Sequence, residues 1–285
     1  MTTRTPAAFI GHGNPMNALD NNHYTDAWRQ FGASVTDARA ILMVSAHWFV
    51  NATAITAMAQ PRTIHDFFGF PPELFAMQYP APGSPEIAAE VVETVKPTWV
   101  GLDDDSWGFD HGTWAVLVHA FPEARIPVLQ LSIDASKPIE YHFELGARLA
   151  PLREQGIVVM ASGNVVHHLG MVNWGLTGQG FDWAHRFDDA ARDMILEDPA
   201  AVLRLPEHPD FPLAVPTMDH FLPFVYMAGL ASVNDTPAQV LTAGYEYGSL
   251  SMTSYGLDVY PNAIPIADDH VVPLPDDVPA DQTNI

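Results

Sequence analysis

Cysteine is absent from all 285 residues. That excludes disulfides and thiolate chemistry, and any bound metal must take nitrogen or oxygen donors. Cationic residues are scarce: 12 Lys plus Arg stand against 34 Asp plus Glu, a formal charge of −22 at pH 7. So acidic a surface repels phosphate backbones and anionic leaflets, which argues against nucleic-acid and membrane-surface binding and otherwise serves solubility. Long apolar runs are missing too. No stretch approaches the ~20 residues that cross a bilayer. The opening MTTRTPAAFIGHG has only a short apolar segment, interrupted by His12, and does not read as a signal peptide. A cytoplasmic location is the resulting expectation.

What is present in quantity is apolar residues, at 48%, and histidine, with 13 copies. The first supports a sizeable core in one large or two modest domains. Four apolar runs read as buried strands: residues 7–10, 40–45, 126–133 and 156–161. Helical spacing separates them. Residues 85–95 carry Ser84 as a cap and Pro85 in the first turn, 139–153 repeat Leu145, Leu149 and Leu152, 183–196 have one apolar face, and 219–230 are apolar throughout. Continuous apolar strands alternating with helices predict an α/β fold, with a mostly parallel or mixed central sheet flanked by helices. Residues 1–260 read as a single catalytic domain, followed by an acidic, Pro-rich tail over 261–285. The loop over residues 60–85 is long and rich in Pro and Phe, as functional loops often are.

Three strands end alike, in FIGHG, VSAHW and VMASGNVVH. Each delivers a histidine at or shortly after its carboxyl end, where open parallel sheets bind their ligands. His12, His47 and His167 therefore converge if the strands neighbour one another. Neutral imidazoles suit Zn, Fe, Cu or Ni, and ligands from distant strands fit a catalytic site better than a structural clip. Taken singly, each is more readily a polar loop residue; the joint placement after three strands is what carries the signal. Gly11 and Gly13 around His12 suggest a tight turn. His111, in FDHGTW, reads either as a general acid/base oriented by a neighbouring carboxylate or as a helix-entry residue. His220 begins a helix aimed at the same cleft, and His65 lies in the long loop within reach of a substrate.

The stretches GHGNPMNAL, SAHWF, PRTIHDFFGFPPELF, YPAPGSPE, WGFDHGTW, PVLQLSID, ASGNVVHHL, DHFLPFVYMAG and GSLSM together resemble the LigB-type extradiol ring-cleavage dioxygenase superfamily, in its DOPA 4,5-dioxygenase group. The likeness runs to about Thr253. It implies one divalent metal per chain, Fe(II) or Zn(II), held by His12, His47 and His220. It implies that His167 acts as a further ligand or as the catalytic base, and that His111 assists proton transfer. A small catecholic substrate and O2 are the implied partners. Two positions depart from the family pattern: Asn14 stands where Ser is common, and His168 follows His167 where Asn is usual. The third ligand position holds His220 rather than the carboxylate of two-histidine, one-carboxylate iron sites. Trp48, Phe67 and Phe68 are candidates to sandwich an aromatic ring. Two other readings of the same histidines are a zinc-dependent hydrolase and a non-catalytic, Memo-like binding protein on the same fold.

Overall fold

The computed structural model describes residues 4–259; the tail expected over 261–285 lies outside them. Eight strands form the main sheet: β1 (Ala7–Gly11), β2 (Ala40–Val50), β3 (Ala54–Thr56), β4 (Gly101–Asp103), β5 (Val128–Asp134), β6 (Ile157–Gly163), β7 (Gln239–Thr242) and β8 (Ser254–Leu257). Their spatial order is β4-β3-β5-β2-β6-β1-β8-β7. The central four, β5-β2-β6-β1, are parallel. Antiparallel pairings join β3 to β5 on one side, and β8 to β1 and β7 to β8 on the other. The expected α/β class with a mixed sheet is what the chain forms.

The four apolar runs read from the sequence are these central strands. They are buried on both faces, so every side chain along them is apolar or satisfied internally. Strand alternation divides their side chains between two cores. Phe9, Leu42, Val44, Leu131 and Val159 pack on one face with Val91, Leu145, Phe187 and Phe224 from four helices. Ala8, Ile10, Ile41, Met43, Val158 and Met160 pack on the other with Trp28, Phe31, Trp114 and Leu117. That second face is covered by α1 (His23–Ser34) and α3 (His111–Ala120). The first is covered by α2 (Pro85–Thr94), α4 (Ile139–Arg148), α5 (Asp182–Glu197) and α6 (Leu222–Ser232).

The helix read over 139–153 is two pieces, Ile139–Arg148 and Ala150–Glu154. Pro151 explains the break, because it has no N–H to continue the ladder. The helix read over 219–230 begins only at Leu222, with Pro223 in its first turn. His220 therefore sits in the approach to it, and its carbonyl accepts from Asn164 N–H at 2.9 Å, beside the end of β6. The long loop is not structureless: Arg62–Thr63 pairs with Gly108–Phe109, and Pro72–Ala76 is helical. Among the described residues, no helix is long and apolar enough to cross a membrane.

Candidate active site

The alternation that sorts the cores also aims the site. Ala8, Ile10 and His12 follow one another at every second position, as do Ile41, Met43 and Ser45, and Val158, Met160 and Ser162. Those series run along the α3 face and leave the sheet at its carboxyl edge. His12 follows the last residue of β1, and Gly13 turns the chain with φ +62°, which a β-carbon would strain. On β2 the pairing with β5 slips between Val44↔Leu131 and Phe49↔Ile133. His47 lies inside that irregularity, where a bulge bends the strand and re-aims a side chain, as bulges near sites commonly do. His111 is the first residue of α3, capped by the Asp110 carboxylate on Thr113 N–H at 3.1 Å. Gly112 lets this helix end close on the strands: a β-carbon there would stand 2.6 Å from Ser45 Oγ and 2.8 Å from His47 Cδ2.

Five imidazoles are gathered. Ring centroids of His12 lie 5.2 Å from His47, 5.4 Å from His220 and 5.7 Å from His111. His47 lies 3.9 Å from His111, and His167 stacks on His220 at 3.5 Å with ring planes 4° apart. His12, His47 and His220 each offer a nitrogen within 4.8 Å of the others; His47, Asp66 and His111 form a second such group. His167 belongs to neither group and stands against the first.

Hydrogen bonding decides which nitrogens face inward. Ser162 donates its hydroxyl proton to Gly112 O at 2.5 Å, so toward His12 Nδ1, 2.9 Å away, its oxygen accepts. His12 is thus protonated on Nδ1 and carries a lone pair on Nε2. His220 Nδ1 donates to Asp219 Oδ2 at 2.8 Å, leaving a buried Nε2 with no hydrogen-bond partner. His47 Nδ1 stands 3.2 Å from Asp66 Oδ2. A proton belongs there, because a lone pair facing a carboxylate would be repelled. His47 Nε2 then meets His12 Nε2 at 3.2 Å with lone pair toward lone pair. That contact is unfavourable unless a cation lies between them, and nitrogens bound tetrahedrally at ~2.1 Å from zinc would be spaced roughly 3.4 Å apart. Converging lone pairs, an orphaned buried Nε2 and outer carboxylates fit a divalent metal.

Electrostatics point the same way. Burial, and then the neighbouring imidazoles, hold His12 and His47 well below the usual histidine range; Asp66 offsets part of this at His47. Burial would raise Asp66, but His111 and His47 outweigh it and keep the carboxyl ionised. Asp219 is likewise depressed, by His220, against the effect of its own burial. Elsewhere, burial holds His119 and His142 at about 4. Such histidines bind protons near pH 6.5 when unfolded and not when native, so unfolding takes up protons and stability falls as pH drops below about 6.5. Urea denaturation of chelator-treated protein should therefore show a lower midpoint at pH 5.5 than at pH 7.5. Glu246 and Asp110, raised by burial to about 7 and about 6, oppose this trend in the same interval, but the four histidines outweigh them; an equal or higher midpoint at pH 5.5 would overturn that balance.

Some expectations meet a different arrangement. The carboxylate beside His111 is Asp66, whose Oδ1 lies 3.0 Å from His111 Nδ1 and also accepts His111 N–H at 2.9 Å. Asp110, its sequence neighbour, turns away to Ser45 and Gln130. Asp66 carries no signal of its own in the sequence beside His65, whose Nε2 is instead bonded to Met77 O at 2.9 Å. His168 points outward, with Nδ1 2.8 Å from Leu213 O. Trp48 stacks on Trp107 at 5.6 Å, Phe67 packs 5.6 Å from His111, and Phe68 is exposed.

Residues 7–258 match the family model described as the catalytic LigB subunit of aromatic ring-opening dioxygenase. The chain is 46% identical, over 89% of its length and 94% of the relative, to a protein of Escherichia coli K12 named 4,5-DOPA dioxygenase extradiol. A Beta vulgaris protein of the same name is 32% identical over 87% of this chain and 94% of its own. The crystal structure of an uncharacterized protein from Escherichia coli K12 superposes with a TM-score of 0.78 at 41% identity, covering 89% of this chain and all of that one. With the fold, the histidine cluster and these likenesses in agreement, the chain belongs to the LigB superfamily of extradiol ring-opening dioxygenases, in the group typified by the 4,5-DOPA dioxygenases.

Proposed function

We propose that this protein is a metal-dependent enzyme that opens the ring of a catechol such as DOPA with O2, by 4,5-type extradiol cleavage, and that residues 1–260 form its catalytic unit. The observation that carries the reading is the set of three lone-pair nitrogens, from His12, His47 and His220, converging beside two further histidines, His111 and His167. Bound there, Fe(II) would acidify both catechol hydroxyls and supply electrons to dioxygen, and Zn(II) the acidification alone. The protein's own part is proton handling and orientation. His167, stacked on His220 and outside the ligand group, is placed to take a hydroxyl proton from the substrate, since imidazole exchanges protons near neutral pH. Asp66 holds the Nδ1 edge of His111, leaving Nε2 to deliver a proton to departing oxygen. The wall of Phe67 beside His111 helps keep bulk water from that exchange.

Anaerobic reconstitution with Fe(II), followed by aerobic assay with DOPA, catechol and protocatechuate, tests the reading. A yellow ring-fission product from at least one is expected; none from any would end it. A zinc hydrolase is the competing reading, favoured by a donor set of three neutral imidazoles, which suits zinc-activated water. It predicts zinc alone in metal analysis, and an esterase or amidase activity lost on chelation.

A further inference from the structure

We infer that Ser162 is a positioning residue: it locks His12 into the tautomer that presents Nε2 to the metal, and ties that ring to the first turn of α3. The inference rests on the reading of His12 as a ligand. Ser162 occupies the middle of the sheet, paired with Ser45 of β2 on one side and Ile10 of β1 on the other. It lies two residues beyond Met160, on the face that α3 covers. Fully buried, its hydroxyl has two partners: it donates to Gly112 O and accepts from His12 Nδ1. One proton cannot serve both contacts, and the backbone carbonyl can only accept. The direction of the relay is therefore fixed from Gly112 back to His12, and the imidazole proton has one permitted place.

Ser162 differs in kind from the partners of the other two rings. His47 and His220 meet the carboxylates of Asp66 and Asp219, whose charge favours a proton on Nδ1 wherever the neighbouring chain sits. A neutral hydroxyl has no such preference of its own; it would donate to a deprotonated Nδ1 as readily as accept from a protonated one. Its direction comes from Gly112 O, and Gly112 is the residue after His111. The orientation of His12 thus depends on α3 being seated against the strands, as Gly112 allows by its missing side chain. One hydroxyl thereby couples the metal-facing ring to the element that carries the proposed acid.

The test is Ser162→Ala, read by metal affinity and by imidazole chemistry rather than by turnover. Zn(II) competition titrations should show the variant binding about 10–100-fold more weakly, the loss typical of outer-shell partners. Long-range 1H–15N correlation spectra of the metal-free protein should show His12 fixed with its proton on Nδ1 in the parent and mixed between both nitrogens in the variant. Ser162→Thr, which keeps the hydroxyl, should restore both readouts. Ser132→Ala removes a buried strand hydroxyl that bonds Ala52 O and Ala54 N and touches no imidazole; it should lower stability and leave zinc affinity unchanged. The inference is overturned if Ser162→Ala binds zinc within about 3-fold of the parent, if His12 keeps a single Nδ1 proton in it, or if Ser132→Ala weakens zinc as much. Failure of the ligand reading looks different: His12→Ala would then leave zinc affinity unchanged in the same titration.

Discussion

Replacing His47 by alanine should cost at least about 1000-fold in divalent-metal affinity and leave no measurable ring cleavage. Losing a partner outside the coordination shell typically costs ~10–100-fold; losing a ligand must cost more. Among the described residues, His47 is also the one shared by both groups able to hold a cation, with Nε2 3.2 Å from His12 and Nδ1 3.2 Å from Asp66. No relocation of the ion between the groups can compensate for its loss. His65→Ala is the matched control, since that ring is spent on Met77 O in the loop; its metal content should equal the parent's. Metal analysis after gel filtration decides the matter: stoichiometric metal in His47→Ala would sink the three-histidine assignment.

How much of this could be seen before folding follows from which contacts are local. The four central strands are continuous apolar runs, and a histidine just past a buried strand must leave the sheet at the carboxyl edge. His12, His47 and His167 are legible on that ground, and His111 and His220 from their places at helix starts, with the motifs of the family adding their roles. The flanking strands are not: β3 and β4 have three residues each and β7 and β8 four. Runs that short have no periodicity to read, and they exist only because a finished edge offers them hydrogen bonds. Asp66 escaped for a related reason. Its partners lie on β2 and α3, joined to it only through the loop's path. Adjacency instead favoured Asp110, yet a residue capping a helix must turn its side chain back onto that helix's own N–H groups, as Asp110 does with Thr113. It cannot also face the imidazole that follows it. The choice between His167 and His168 turned on neighbours that point oppositely, one toward His220 and one toward the Leu213 carbonyl.

Truncating His111 to alanine should separate chemistry from binding. The proposed role as proton donor predicts a fall in kcat of ~10²–10⁴-fold, the usual contribution of a placed acid or base. Metal content should stay at the parent level, because the three-histidine group does not include it. The same variant discriminates between the two possible cation positions. A metal held by His47, Asp66 and His111 would be lost along with the ring, whereas one held by His12, His47 and His220 would remain. The fully buried ring packs between His47 and Phe67, so its removal leaves an imidazole-shaped space under the loop. Added imidazole should therefore recover part of kcat in His111→Ala, and should not in His47→Ala, where the missing group is the proposed ligand beside Asp66 rather than a proton donor. Loss of metal from His111→Ala would transfer His111 from the acid's role to the ligand's and move the reacting centre to the Asp66 side of His47.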